Sequence, residues 1–262
     1  MALRDRARLA LRSSYHRIRL APLAHAAATG VLFTSAETDL SHLATYPEVE
    51  AGGPLQRDEA ILLYGAIRAL RPRTVVEVGF LTGRSAFNFL RALDDDARLF
   101  SFDIDPLCAR AADQLFGHDP RFRFAVKSQD QITVDDVEGR QIDLLFLDAA
   151  HDLELNQRTF EALEGLLAPR AVIAVHDTGT WPRNVIGLSP AAAGYAAEHP
   201  EGWVEADVYA HRPDERRFVN WITETRPGYG AVHFHTDATL RHGLTLLQGG
   251  GPLNVDPVAP AA

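Results

Sequence analysis

Cysteine is almost absent, Cys108 being the only one in 262 residues. A disulfide framework is thereby excluded, as is any zinc site built from several thiolates, and a reducing, cytoplasmic setting is expected. Lysine is equally scarce: Lys127 stands alone, so basic positions are filled by arginine throughout. No apolar run approaches the roughly 18 to 20 residues that cross a bilayer. Positive charge is short overall, with 26 Lys and Arg against 35 Asp and Glu and a formal net charge of −9. That balance speaks against a general nucleic-acid binder, which carries a basic excess or stripe, and leaves a small molecule as the expected partner. What is plentiful is apolar: hydrophobic residues make up 46% of the chain, enough to fill one large core and exclude global disorder.

The opening "MALRDRARLALRSSYHRIRLAPLAHAAA" sets Arg4, Arg6, Arg8, Arg12, Arg17 and Arg19 against the single acid Asp5, the composition of an organellar transit peptide. The chain-wide use of arginine and alanine is the stronger reading of it. A helical extension over 1–53 is the expectation, packing as a lid on the main domain or against a second copy in a homo-oligomer such as a dimer.

From residue 54 the pattern is regular. "RDEAILLYGAIRAL" (57–70) predicts an amphipathic helix with Ile61, Tyr64, Ile67 and Leu70 on one face, stopped by "RPR". Buried strands are predicted at 74–80, 98–104, 121–127, 143–149 and 171–177. Helices at 84–94, 106–116 and 153–168 alternate with them, and a short acidic helical stretch follows the third strand. Such alternation implies right-handed crossovers and a parallel sheet covered on both faces. Runs such as "LLFL" and "VIAV" are what doubly covered strands contain. After Asp177 the pattern loosens into an inserted loop, 178–213, with one short helix near 190–198. A helix at 214–226 and strands at 231–236 and 243–248, close enough for an antiparallel hairpin, complete a domain over 54–248, and 249–262 reads as a flexible Gly and Pro tail. The expected fold is α/β: a doubly wound, mostly parallel seven-stranded sheet with an antiparallel C-terminal hairpin strand.

Ligands in such sheets bind beyond the carboxyl ends of the strands, and four strand ends carry polar signals. "VVEVGFLTGRSA" (75–86) sets Glu77, Gly79, Gly83 and Ser85 in the turn between the first strand and its helix. "FSFDIDP" puts Asp103 at the second strand end, "VKSQDQI" puts Ser128 and Gln129 at the third, and "LLFLDAAHD" puts Asp148 and His151 at the fourth. The spacing E-x-G-x-x-x-G-x-S is not the dinucleotide fingerprint, whose first glycine is replaced by Glu77. It resembles motif I of the class I S-adenosylmethionine-dependent methyltransferases. The other three segments resemble, in order, the motifs of the catechol O-methyltransferase-like group. The resemblance implies a Rossmann-like sheet and S-adenosyl-L-methionine as cofactor: the glycine turn at its amino-acid part, the Asp103 carboxylate on both ribose hydroxyls, and Ser128 and Gln129 at the adenine. Read singly, Asp103 and Ser128 could be helix caps and the glycines mere chain reversal; together those readings do not explain the order.

The fifth strand end brings His176 and Asp177 beside Asp148. In the catechol-like group the equivalent acids hold magnesium and a lysine serves as base; here His151 occupies the base position and His176 replaces a carboxylate ligand. Imidazole suits Mn²⁺, Fe²⁺ or Zn²⁺ better than Mg²⁺, so a divalent metal at Asp148, His176 and Asp177 and a metal-free site both stand open. His151 is suited to general-base work by its ordinary pKa, about 6.5. Asp152 reads as the cap of the next helix. The "HD" pair also resembles bacterial tailoring O-methyltransferases acting on sugars and secondary metabolites. Trp181, Trp203, Tyr195 and the N-terminal segment are candidates for the acceptor pocket, and His233, His235 and His242 read as structural or pocket-lining. The expected function is O-methyl transfer to a small hydroxylated molecule. Alternatives are metal-independent N- or C-methyl transfer, a nicotinamide-dependent oxidoreductase, and a non-catalytic cofactor-binding protein.

Overall fold

The structure is a computed structural model that describes residues 55, 57–179, 181–182, 194, 197–198, 210–211, 213–234 and 243–249. The chain divides between residues 48 and 49, and every described residue lies in the second part. The expected N-terminal extension, the C-terminal tail, Tyr195, Trp203, His235 and His242 lie outside the described residues, as does the side chain of Trp181.

Helix α1 (Arg57–Leu70) leads into β1 (Thr74–Val78), α2 (Arg84–Ala92), β2 (Arg98–Asp103), α3 (Pro106–Phe116) and β3 (Phe122–Val126). Two 3₁₀ turns, Gln129–Gln131 and Val134–Val137, replace the expected acidic helix before β4 (Ile142–Leu147) and α4 (Leu153–Leu163). The α4 helix ends five residues earlier than predicted. A 3₁₀ turn at Glu164–Leu166 follows, and β5 (Leu167–Val175) begins at Leu167. Gly165 weakens the helix there and Pro169 cannot continue one. The extra residues are absorbed where the register with β4 slips, Ile142 pairing with Leu167 but Leu144 with Val172.

Strands β6 (Trp181–Pro182) and β7 (Ala210–His211) pair antiparallel at the base of the inserted segment. Of its expected helix, residues 194, 197 and 198 are described and all are helical. Helix α5 (Asp214–Thr225), β8 (Tyr229–Phe234) and β9 (Leu244–Gly249) complete the domain.

The seven strands lie in the order β3-β2-β1-β4-β5-β9-β8. The first five are mutually parallel. The expected hairpin forms, β8 with β9, and it is β9 that docks antiparallel on β5, so the last strand in sequence is not the edge. One face of the sheet is covered by α4 and α5, where Phe160, Leu163, Phe218, Val219 and Ile222 meet Val76, Phe102, Leu145 and Ile173. On the other face α1 is tied to α2 by Asn88, whose amide donates to the Ala60 carbonyl at 3.0 Å. The buried side of α1 is Glu59, Ala60, Leu63, Tyr64 and Ile67. Tyr64 and Ile67 were expected there; Ile61 is only half-buried and Leu70, at the helix end beyond the sheet, is exposed. Strand order reverses between β1 and β4, and at that switch point a crevice opens beyond the strand ends.

Candidate active site

The crevice is a cavity of about 470 Å³ whose walls come from the ends of β1 through β5, within the size range of small-molecule sites. Its floor depends on the β1–α2 turn. Gly79 has φ of +98°, and a Cβ there would lie 2.2 Å from the Asp148 carbonyl oxygen, so only glycine lets the β1 end pass the β4 end. Gly83, at φ +77° ahead of α2, is not part of the wall. A Cβ on it would meet the Phe80 ring at 2.7 Å, and that ring is packed among Phe116, Phe122 and Phe124. Both glycines thus shape the turn through protein contacts.

Asp103 is held at the cavity by the turn it faces. Its Oδ2 accepts from the Phe80 and Leu81 amides at 3.0 and 2.9 Å, and its Oδ1 from the Asp105 amide at 3.0 Å. The neighbouring helix cap is Asp105, not Asp103: its side chain accepts from the Leu107 amide. Ser128 and Gln129 line the same cavity with Ser85, Gly79 and Asp148. The Gln129 side-chain nitrogen donates to Asn156 Oδ1 at 2.9 Å, and Asn156 donates in turn to the Ala150 carbonyl at 2.9 Å, so α4 holds the Gln129 amide in place.

Glu77 departs from expectation. It is fully buried behind the cavity wall, where its carboxylate accepts from the Ser101 hydroxyl on β2. Side chains alternate along β1, and the alternation turns Glu77 away from the opening that Val78 and Gly79 line. Burial pushes its pKa up to about 8, against the Ser101 and Ser85 hydroxyls, which hold it down.

The strand ends of β4 and β5 carry a chain of ionisable groups. His176 is buried, with Nδ1 2.9 Å from Asp148 Oδ1 and 3.4 Å from Asp177 Oδ1, and Nε2 2.8 Å from Glu59 Oε2. Burial works against its charge, but the Asp148, Glu59 and Asp177 carboxylates outweigh burial and hold its pKa well above the ordinary histidine value. Asp177 has φ of +57°. This left-handed turn breaks the strand alternation and lets consecutive side chains share one rim, a strained conformation of the kind functional sites hold. On the far side of Asp177, His151 Nε2 lies 3.8 Å from Oδ2, while His151 Nδ1 is hydrogen-bonded to Glu215. Burial raises the Glu215 pKa, and the bond to His151 opposes that rise.

The structure therefore brings Gly79, Ser85, Asp103, Ser128, Gln129, Asp148, His151, His176 and Asp177 to one cavity, and leaves Glu77 and Gly83 behind it. Asp152 caps α4, accepting from the Leu155 amide. His233 sits on β8, its Nδ1 2.8 Å from the Thr245 hydroxyl. Sequence reasoning missed Glu59 and Glu215. Their signal was present: each shares the buried face of its helix, Glu59 with Leu63 and Ile67, Glu215 with Phe218, Val219 and Ile222. An acid on an apolar face is unusual unless it is paired.

Two trios have ligand atoms within 4.8 Å of one another: Asp148, His176 and Asp177, and His151, Asp177 and Glu215. In the first, both carboxylates face the same nitrogen, Nδ1, with the Glu59 carboxylate behind Nε2. That is the donor convergence and outer carboxylate of a histidine metal site. In the second, the two acids face opposite nitrogens of the ring, Glu215 hydrogen-bonded to Nδ1 and Asp177 3.8 Å from Nε2.

Residues 76–178 match a family model described as a methyltransferase domain. An uncharacterized protein, y4gI, of Sinorhizobium fredii is 29% identical over 125 residues, 43% of this chain but only 14% of that protein's length. Among solved structures, the O-methyltransferase TomG of Streptomyces achromogenes, in complex with S-adenosylmethionine, aligns over 84% of this chain and 92% of its own at TM-score 0.56 and 22% identity. An O-methyltransferase from Bacillus cereus aligns over 80% and 88% at TM-score 0.54 and 17% identity. The methyltransferase MTH1 of Podospora anserina aligns over 84% and 89% at TM-score 0.56 and 16% identity. At these identities the structures share the fold. The matched segment runs from within β1 to just past β5, so the chain is similar there to a methyltransferase domain, and its seven-stranded sheet is the fold it shares with these structures.

Proposed function

We propose that this protein is an O-methyltransferase moving the methyl group of S-adenosylmethionine to a hydroxyl of a small molecule, a sugar or secondary metabolite, with His151 as general base. The observation that carries the reading is one continuous cavity lined by Gln129 beyond the β3 end, Asp103 at the β2 end, and Asp148 and His151 beyond the β4 end. A carboxylate that can accept two bonds suits a ribose diol, and a neutral imidazole suits a hydroxyl proton. The cofactor supplies a methyl group already activated by its sulfonium. What the chain adds is placement, removal of water and a proton acceptor. The names of the fold relatives TomG and the Bacillus cereus enzyme support oxygen as the acceptor atom, and the net charge of −9 supports a partner other than nucleic acid.

The residues also fit a divalent cation held by Asp148, His176 Nδ1 and Asp177, with Glu59 orienting the ring. A cation there supplies acidity to a bound hydroxyl, and its nitrogen ligand favours Mn²⁺, Fe²⁺ or Zn²⁺ over Mg²⁺. Calorimetric titration with S-adenosylmethionine, S-adenosylhomocysteine and NAD⁺ tests the cofactor: binding of the first two is expected, and binding of NAD⁺ alone would end the reading. Chelation followed by Mn²⁺ or Mg²⁺ tests the cation. Turnover untouched by chelation would leave His151 as the sole means of deprotonation.

A further inference from the structure

Three consecutive residues at the start of α5 each reach a different part of the site. Asp214 accepts from the Leu153 amide at 3.3 Å, beside the loop that carries His151. Glu215 bonds His151 itself, and Arg216 donates to the Thr178 carbonyl at 2.9 Å, one residue after Asp177. The turn is stiffened by Arg217, which donates to Asp214 at 2.7 Å. Glu215 is only 4% exposed, whereas the His151 ring is 39% exposed and borders the cavity. Docking of this turn thus delivers a buried carboxylate to the back of a half-open imidazole, from an element outside the matched segment 76–178.

We propose that Glu215 is the positioning residue of His151: it accepts a hydrogen bond from Nδ1–H, holds the ring in that tautomer and leaves Nε2 to receive the acceptor's proton. Which imidazole nitrogen carries the proton is set by the hydrogen bond made by the other nitrogen. A buried carboxylate on Nδ1 selects Nε2 as the basic atom and stabilises the imidazolium once formed, as the acid of a hydrolytic triad does. In the balanced step the acceptor oxygen bonds the methyl carbon as its O–H bond breaks, and the carbon–sulfur electron pair goes to sulfur. The proton goes to Nε2, so the positive charge passes from the sulfonium to the imidazole. The inference rests on His151 being the base.

The test uses the full chain saturated with S-adenosylhomocysteine, at a pH alkaline enough to leave the ring neutral. Long-range ¹H–¹⁵N NMR reads the His151 tautomer, its signal assigned by its loss in His151→Gln. The wild type is expected to carry the proton on Nδ1, Glu215→Gln to lose that preference, and Glu215→Asp to restore at least part of it. S-adenosylhomocysteine affinity is expected to stay within about threefold in both Glu215 variants, as it should for a residue away from the cofactor walls; should Glu215→Gln not fold, Glu215→Asp and the wild-type spectrum carry the test. With S-adenosylmethionine and a panel of sugars and phenols, Glu215→Gln should lower kcat about 100-fold or more with KM little changed, the scale of a lost general base. A wild-type ring protonated on Nε2, or a tautomer indifferent to Glu215→Gln, would overturn the inference. Methyl transfer that survives His151→Gln would instead overturn the base reading and leave the Glu215 pairing standing.

Discussion

Asp103 and Asp148 stand at the ends of neighbouring segments of one cavity, yet their partners differ. Asp103 accepts from backbone amides of the glycine turn and of Asp105, with the Cys108 thiol beside it, the setting of a carboxylate kept ready to accept from a ligand. Asp148 faces the His176 ring. Asp103→Ala should therefore weaken S-adenosylhomocysteine binding, by about a hundredfold or more if two charged hydrogen bonds are lost, each worth about 1.5–3 kcal/mol. Asp148→Ala should spare binding and abolish methyl transfer; calorimetry beside a turnover assay separates the two, and the reverse pattern would exchange the roles. Glu77 gives a pH prediction. Its folded pKa near 8 lies above the ordinary 4.5, so between those values the folded chain holds a proton that the unfolded chain releases. Its contribution is fully present below the lower value and is lost as pH rises through the upper one. Glu77→Gln should flatten that decline, by an amount on the order of 5 kcal/mol at most. Urea unfolding of both forms at intervals from about pH 4 to about pH 9 checks it. Gly79, Asp103, Ser128, Gln129, Asp148 and His151 could be placed at the strand ends from the chain because each closes a strand or follows it within four residues, and the apolar runs of those strands are plain. That Glu77 turns inward could not, because the facing of a single strand end depends on the register with its neighbours.

Helix α4 shows how element ends were only half legible. Its start was plain, since Asp152 precedes the periodic run and caps the Leu155 amide at 2.7 Å. Asp152→Ala should cost about 1 kcal/mol, in the range for losing such a cap, and thermal unfolding would show it as a small fall in Tm. Because α4 also holds Asn156 against Gln129 and begins beside His151, a frayed first turn should loosen cofactor binding as well. Its end was less plain, because "EALEGLLA" continues the helical pattern while the sheet takes over from Leu167. Pairing with β4 outcompetes helix propensity there. In α1 the buried face is turned by one position from the apolar stripe, and that turn is what carries Glu59 inward to His176. Amphipathic periodicity locates a face but tolerates such a rotation, and a buried acid is the sign that it has occurred.

For the molecule as a whole, the cavity is assembled from five strand ends and closed behind by residues of α1 and α5. A ligand that requires all of them at once binds the folded chain and not the unfolded one. At 100 times its Kd, S-adenosylhomocysteine should stabilise the protein by about 2.7 kcal/mol, raising Tm by about 5–11 °C for a chain of this size; no rise at saturation would mean that the cavity is not the cofactor site. Among the described residues no helix is long and apolar enough to cross a membrane. The amino-acid sequence by itself determined the α/β alternation, the parallel strands, the glycine turn and the polar ends of β2, β3, β4 and β5. All of these depend on neighbours within a few residues and on the two periodicities of helix and strand. Only the tertiary structure decided that β9 lies between β5 and β8, and that His176 meets Glu59 and His151 meets Glu215. Those partners stand 117 and 64 residues apart, and they meet only once the strand order has brought both helices to the same edge of the sheet.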